Sequence, residues 1–235
     1  MTFSTGLPNV LFFMLQIWSC QAQMSSPGAK SSFNPGGQYI MLTFDDGPHS
    51  VLTPKLLDIL KEKNAKATFF VIGLKAKMHP DILKRIVDEG HELANHTWNH
   101  PVLSKLQVED VHAQMEKTNQ AIFDATKKTP QVMRPPYGNT NGKLNDYLIK
   151  KEKLEVILWN IDTRDWTRPA PKAIAEKAIK QAKPGAVILC HDIHPGTIEA
   201  MPSLIDGLMA KGYQLVTVSQ AMSFPDEPPL KRLRG

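Results

Sequence analysis

An α/β fold of parallel strands is the class this sequence predicts, on three observations. Seven short apolar runs of strand character recur at 39–44, 67–72, 91–94, 131–134, 155–161, 186–190 and 214–218. Helix signals follow each of the first six, the alternation that marks βα units. The chain has 235 residues, 42% of them hydrophobic, which suits one domain around one large core. An incomplete or distorted barrel and a doubly wound sheet both satisfy this count. The pattern contains neither an internal repeat nor a Gly-rich phosphate loop.

Before the first strand, an apolar run at 10–15, extending loosely over 7–18, precedes any charged side chain, the first being Lys30. It falls short of the ~20 apolar residues of a membrane span but fits the h-region of a secretory signal. Cys20-Gln21-Ala22 then offers a small-residue cleavage site. Residues 1–22 are therefore expected to be a signal peptide, with the mature protein periplasmic, extracellular or in the cell wall. Cys20 could instead be the lipid-accepting cysteine of a lipoprotein. Cleavage after Cys20 leaves Cys190 as the one thiol, with no intramolecular disulfide. Residues 23–37, rich in Ser, Pro, Gly and Asn, read as a flexible lead-in, 38–224 as the folded domain, and 225–235 as an extended basic tail.

Strand 39–44 runs into Asp45-Asp46-Gly47-Pro48, so two adjacent carboxylates stand at a strand's carboxyl end, where parallel α/β folds place chemistry. Keeping both ionised calls for a cation or a shared proton, although the same residues alone make an ordinary turn. Thr53-Pro54 opens a helix with Leu56, Leu57 and Leu60 on one face, and Pro80-Asp81 opens another that ends at Gly90. After the third strand come His96 and His100, which four-residue spacing can aim the same way on a helical turn, as a metal requires. They fit a polar hydrogen-bonded loop as well.

A long amphipathic helix over 108–125 leads to the fourth strand and Arg134-Pro135-Pro136-Tyr137-Gly138. The prolines stiffen the backbone, so Arg134 can present a fixed cationic fork to a carboxylate, and the next amide donor, that of Tyr137, can face an oxyanion. Helix 143–151 precedes the fifth strand, whose end carries Asp162, Asp165 and Trp166; an aromatic face there suits either a sugar ring or the core. Helix 171–182 precedes the sixth, which delivers His191 beside Asp192, a histidine that can be tuned as a general acid. In the last helix, 198–211, Pro202 marks the first turn or a bend.

The net charge of +5 comes without dense Lys/Arg clusters, which argues against a nucleic-acid partner and is compatible with an anionic polymer. Five polar clusters at the ends of successive or near-successive strands exceed what chance supplies.

Together these residues resemble the polysaccharide deacetylase family, the family 4 carbohydrate esterases with a NodB-homology domain. Thr43 to Pro48 is similar to the first of that family's five motifs, His96 to His100 to the second, Arg134 to Gly138 to the third, Asp162 to Trp166 to the fourth and Leu189-Cys190-His191 to the fifth. The resemblance covers roughly 38–224 and implies a distorted (β/α)7 barrel. It implies that Asp46, His96 and His100 bind one divalent metal, zinc or sometimes cobalt. Asp45 would be the base, positioned by Arg134, and His191 the acid, oriented by Asp165. Tyr137, Trp166 and Leu189 would wall the acetyl pocket. The implied enzyme is a metal-dependent hydrolase of linear amides that N-deacetylates N-acetylglucosamine in a wall polysaccharide, peptidoglycan foremost. Chitin oligomers and O-acetyl esters are alternatives, and a glycan-binding module retaining the fold is the non-enzymatic one. No stable membrane span is expected.

Overall fold

The computed structural model describes residues 28–30 and 37–224. The expected signal peptide, Cys20 and the basic tail lie outside these residues. Nine strands are described: β1 Ala29–Lys30, β2 Tyr39–Asp45, β3 Ala67–Val71, β4 Glu92–Asn95, β5 Val132–Met133, β6 Glu155–Ile157, β7 Ile161–Asp162, β8 Val187–His191 and β9 Gln214–Leu215. The helices are α1 Leu52–Glu62, α2 Gly73–Met78, α3 Pro80–Asp88, α4 Val108–Thr126, α5 Gly142–Lys150, α6 Pro171–Gln181, α7 Pro195–Ala210 and α8 Val218–Ser223.

Every strand pairing is parallel, in the order β1-β6-β5-β4-β3-β2-β8-β7, with β9 also paired to β2. β6 and β7 stand near opposite ends of that order, yet only residues 158–160 separate them in the chain. A link that short spans no more than about 14 Å, so the sheet must curl until its ends meet. The result is a distorted barrel, which resolves the choice left open by the strand count. The single expected strand at 155–161 is therefore two. Its ladder breaks because Arg134 takes the carbonyls of Ile157 (3.1 Å) and Leu158 (3.0 Å), while Asn160 N–H turns to Val187 O (3.2 Å).

Strand alternation sorts the two faces. Ile40, Leu42 and Phe44 of β2, Phe69 and Val71 of β3, and Ile188 and Cys190 of β8 pack outward in one core with Leu56, Leu57 and Leu60 of α1 and Leu204, Ile205 and Leu208 of α7. Met41, Phe70, Ala94, Val132, Ile157 and Val187 meet inside the barrel. Burial of these large side chains, about 1.5–3 kcal/mol each, is the main term holding the layers together. α8 closes the barrel floor. Val218 and Ala221 join the inner cluster, and the N–H groups of Val218 and Ser219 donate to Thr68 Oγ1 (2.9 Å) and Glu92 Oε2 (3.1 Å).

Other departures have local causes. The expected strand at 214–218 shortens to β9 because Thr217 and Gln220 form a reciprocal capping box that starts α8. α2 is a six-residue helix without a side-chain cap, too short to leave a periodic signal. Residues 29–30, placed in the lead-in, form β1 against β6. α7 begins at Pro195 and runs through Pro202. None of the helices in the described residues is long and apolar enough to cross a membrane.

Candidate active site

Asp45 is the last residue of β2, and alternation puts it on the inward face with Met41 and Thr43. Asp46 has left the strand with φ 71, a left-handed conformation costing a non-glycine residue about 1–2 kcal/mol. That turn brings neighbouring carboxylates into one site despite their opposite parity in the strand. Gly47 then passes so close to the buried Asp192 that an added Cβ would stand 2.3 Å from its carboxyl oxygen, so no side chain fits there. Burial pushes Asp192 up to about 7 against the hydrogen bond from Thr53 Oγ1 (2.5 Å).

His96 follows β4, its N–H bonded to Val71 O (3.0 Å). Its Nδ1 meets the carbonyl of Arg134 at 2.7 Å; a carbonyl only accepts, so Nδ1 carries a proton and Nε2 is the nitrogen turned towards Asp46. His100 reaches the same place without the helical turn that its spacing suggested. Residues 96–100 form a loop in which Thr97 (φ 69) and His100 (φ 66) are left-handed. Asn95 Oδ1 accepts from Thr97 N–H (2.7 Å), and Gln114 Oε1 accepts from Trp98 N–H (2.8 Å), which replaces the missing helical bonds.

The outcome is one cluster. Asp46 Oδ1 lies 3.4 Å from His96 Nε2 and 3.2 Å from His100 Nε2, and one ligand atom from each residue falls within 4.8 Å of the others. Asp46 Oδ1 is buried with no satisfying hydrogen bond. An orphaned carboxylate oxygen facing two imidazole nitrogens fits a cation, and one carboxylate with two histidines is a donor set for a divalent metal that leaves positions open. Burial alone would raise Asp46, but His100 and His96 overrule it and hold the carboxyl well below the usual range.

Arg134 lies inside the barrel, 0% exposed. Its Nη1 donates to Asp45 Oδ1 (2.7 Å) and Thr43 Oγ1 (2.9 Å), and its guanidinium carbon sits 4.0 Å from the Phe70 ring centroid. Burial pulls this guanidinium's pKa down and Asp45 opposes that pull. Asp45 Oδ2 remains 3.7 Å from His96 Nε2, beside the cluster.

Asp45 pairs in register with His191 on β8. Asp165, 1% exposed, accepts from His191 Nδ1 (2.8 Å), His191 N–H (2.7 Å) and Thr197 Oγ1 (2.7 Å). Burial would lower His191, but Asp165, helped by Asp45 and Asp46, pushes it up to about 9. Asp165 itself, raised by burial, is held down by His191.

A cleft of about 500 Å³ opens over these groups. Asp45, Asp46, His96, His100, Tyr137, Trp166, Leu189 and His191 line it, while Arg134 and Asp165 lie behind as buried supports. Tyr137 (φ 61, 58% exposed) and Trp166 (53% exposed) are aromatic walls rather than core. Sequence reasoning left three roles unassigned. Trp159 is a further wall, packed so closely on Gly138 that a Cβ there would meet it at 2.8 Å. Asp162 accepts the Arg164 N–H (2.8 Å), and Asp192 backs the Gly47 turn. The adjacency of His191 and Asp192 was the available signal for the last. A separate groove of about 650 Å³ runs past Lys77, Trp98, Glu116 and Asp124 and holds none of the site residues.

A family profile described as polysaccharide deacetylase matches residues 33–155. The chain is 40% identical over 181 residues to the peptidoglycan-N-acetylglucosamine deacetylase PgdA of Listeria monocytogenes, covering 77% of this chain and 38% of that protein. It therefore spans well under half the length of that relative. To a chitooligosaccharide deacetylase of Bradyrhizobium it is 36% identical over 202 residues, covering 79% of this chain and 91% of the other. The solved structure of the peptidoglycan deacetylase PdaC from Bacillus subtilis superposes with a TM-score of 0.75 at 39% identity, covering 80% and 91% of the two chains.

Proposed function

The chain belongs to the polysaccharide deacetylase family, and from that premise we propose that it hydrolyses the acetamide of N-acetylglucosamine units in a cell-wall polysaccharide, peptidoglycan foremost. One observation carries the reading. A carboxylate paired with a buried arginine and an imidazole paired with a buried carboxylate open into the same cleft as a three-ligand cation site.

Asp46, His96 and His100 would hold a divalent metal, zinc with cobalt as a working substitute, which would supply positive charge to acidify water and polarise an acetyl carbonyl. Asp45 takes the proton from the attacking water, and Arg134 fixes the carboxylate that receives it. The Tyr137 N–H stabilises the oxyanion that develops on the acetyl carbonyl oxygen, a contribution of about 3–4 kcal/mol for one well-aimed donor. His191 gives its Nε2 proton to the departing nitrogen, because Nδ1 is committed to Asp165. The carbon–nitrogen bond breaks, leaving acetate and a free amine. Trp166, Tyr137 and Leu189 exclude water around the acetyl methyl and face the sugar ring.

Relatives and structures named as peptidoglycan deacetylases support the substrate, and the apolar run at 10–15 followed by Cys20-Gln21-Ala22 supports placing the reaction outside the cytoplasm. Chitin oligomers are the second reading, favoured by the Bradyrhizobium relative matched over 91% of its length. Acetate release from peptidoglycan and from chitin oligomers, each with zinc, cobalt or chelator, tests both. Metal-dependent release from peptidoglycan is expected. Release from chitin oligomers alone would install the second reading, and silence on both with metal bound would refute deacetylation.

A further inference from the structure

Arg164 is the one arginine or lysine lining the cleft among the described residues, and the chemistry above gives it no task. Its side chain is exposed, and no carboxylate of the described residues forms an ion pair with it. Asp162, two residues away, instead accepts the Arg164 backbone N–H. Arg134 shows the contrast, since it is buried and already bound to Asp45.

The turn does not explain an arginine here. At φ 57 the backbone would cost less with glycine or asparagine. The hydrogen bonds that build the turn, from Thr167 N–H (3.0 Å) and Thr167 Oγ1 (2.8 Å) to the Arg164 carbonyl, use only main-chain atoms of residue 164. The turn is also firmly seated, because the next residue is the buried Asp165 with its three incoming bonds from His191 and Thr197. A rigid mount thus carries an uncommitted guanidinium into a sugar-binding cleft, two residues from the exposed Trp166.

We propose that Arg164 is a specificity residue that binds a carboxylate carried by the glycan beside the sugar being deacetylated, and so selects an acidic polymer over a neutral one. The inference rests on the deacetylase reading of the cleft and deepens it. A guanidinium fork matches a planar carboxylate with two parallel hydrogen bonds. Chitin oligomers offer only hydroxyls and acetamides. Peptidoglycan offers carboxylates from two sources, the lactyl ether on alternate sugars once its peptide is removed, and the stem peptide where it remains.

The test compares kcat/KM for acetate release by the zinc-loaded full chain and its Arg164→Gln and Arg164→Lys variants. Three substrates of matched length are used: glycan strands with free lactyl carboxylates, strands bearing stem peptides, and chitin oligomers. The acidic-over-neutral preference should fall about tenfold in Arg164→Gln, the scale of one charge-assisted contact at an open site. Arg164→Lys should recover part of it, and salt should erode the wild-type preference. Loss confined to stripped strands assigns the lactyl carboxylate, and loss confined to peptide-bearing strands assigns the stem. Equal losses on all three substrates, or none on any, would overturn the proposal. Absence of acetate from every substrate with metal bound would instead refute the deacetylase reading, and this inference with it.

Discussion

Asp45 and His191 are register partners on the adjacent parallel strands β2 and β8. Neighbouring strands stand about 4.8 Å apart, and both side chains fall on the inward parity, so the sheet itself sets the separation of the proposed base and acid. Each has its own buried counter-charge from a different element, Arg134 for Asp45 and Asp165 for His191. Replacing Asp45 by Asn should lower kcat by about 10²–10⁴-fold, the range for a general base, while metal content measured by elemental analysis stays at the wild-type ratio. Loss of metal along with activity would make Asp45 a ligand and defeat the assignment.

The His191–Asp165 pair makes a pH prediction. Burial lowers the imidazole and Asp165 more than reverses this, to about 9. The acid form therefore persists through neutrality, and activity should fall as pH rises through that region. A bound cation cancels the help that Asp46 gives and brings this limb somewhat lower. Asp165→Asn leaves burial in place and removes the charge, so the alkaline limb of kcat/KM against pH should move down by more than one unit. An unmoved limb would show that another group supplies the proton.

Arg134→Met strands the Asp45 carboxylate in the barrel without its cation. Breaking a buried pair on one side typically costs about 3–5 kcal/mol, readable as a lower denaturation midpoint. The double variant with Asp45→Asn should recover part of that loss. Additive losses would mean that Arg134 acts mainly through Phe70 and the Ile157 and Leu158 carbonyls.

Metal removal should act on stability as well as turnover, since Asp46 Oδ1 is left buried and unsatisfied. Chelation should abolish acetate release and lower Tm; zinc should restore activity in proportion to its occupancy and raise Tm with the logarithm of free zinc. Asp46→Ala should lose the metal response of Tm. A variant that kept it would place the cation elsewhere.

His91 sets acid sensitivity at the far end of the barrel. Burial, aided by the nearby Lys66, lowers it from 6.5 to about 4, and neither ring nitrogen has a hydrogen bond. Between these values the unfolded chain binds a proton that the folded one refuses, so stability should fall as pH drops from 6.5 towards 4, by roughly 3 kcal/mol. His91→Leu should flatten that slope in denaturant titrations followed across pH. An unchanged slope would move the acid sensitivity to another group.

Much of this was legible because parallel βα architecture writes its active site at strand ends. β2, β3, β4, β5 and β8 lie within a residue of the expected runs, and the acidic, histidine and arginine clusters stand where the first, third and fourth of those runs stop. What escaped depends on partners distant in sequence. Nothing between 155 and 161 announces that Arg134 will take the carbonyls of Ile157 and Leu158 and divide the strand. His96 and His100 had the right spacing for a different reason from the one it suggested, since two left-handed residues do the work of a helical turn. The start of α8 could have been read from Thr217 and Gln220, whose three-residue separation is a capping box, but the apolar run through Val218 masked it.

The barrel floor has a consequence for how the protein is made. β2 leaves the ribosome well before its partners, since its first residues, Tyr39 and Ile40, pair with Gln214 and Leu215, and the interior is sealed by Val218 and Ala221. A nascent chain thus carries its central strand with an open apolar lumen until translation has passed residue 221. Such late, long-range closure slows folding and prolongs exposure of sticky surface.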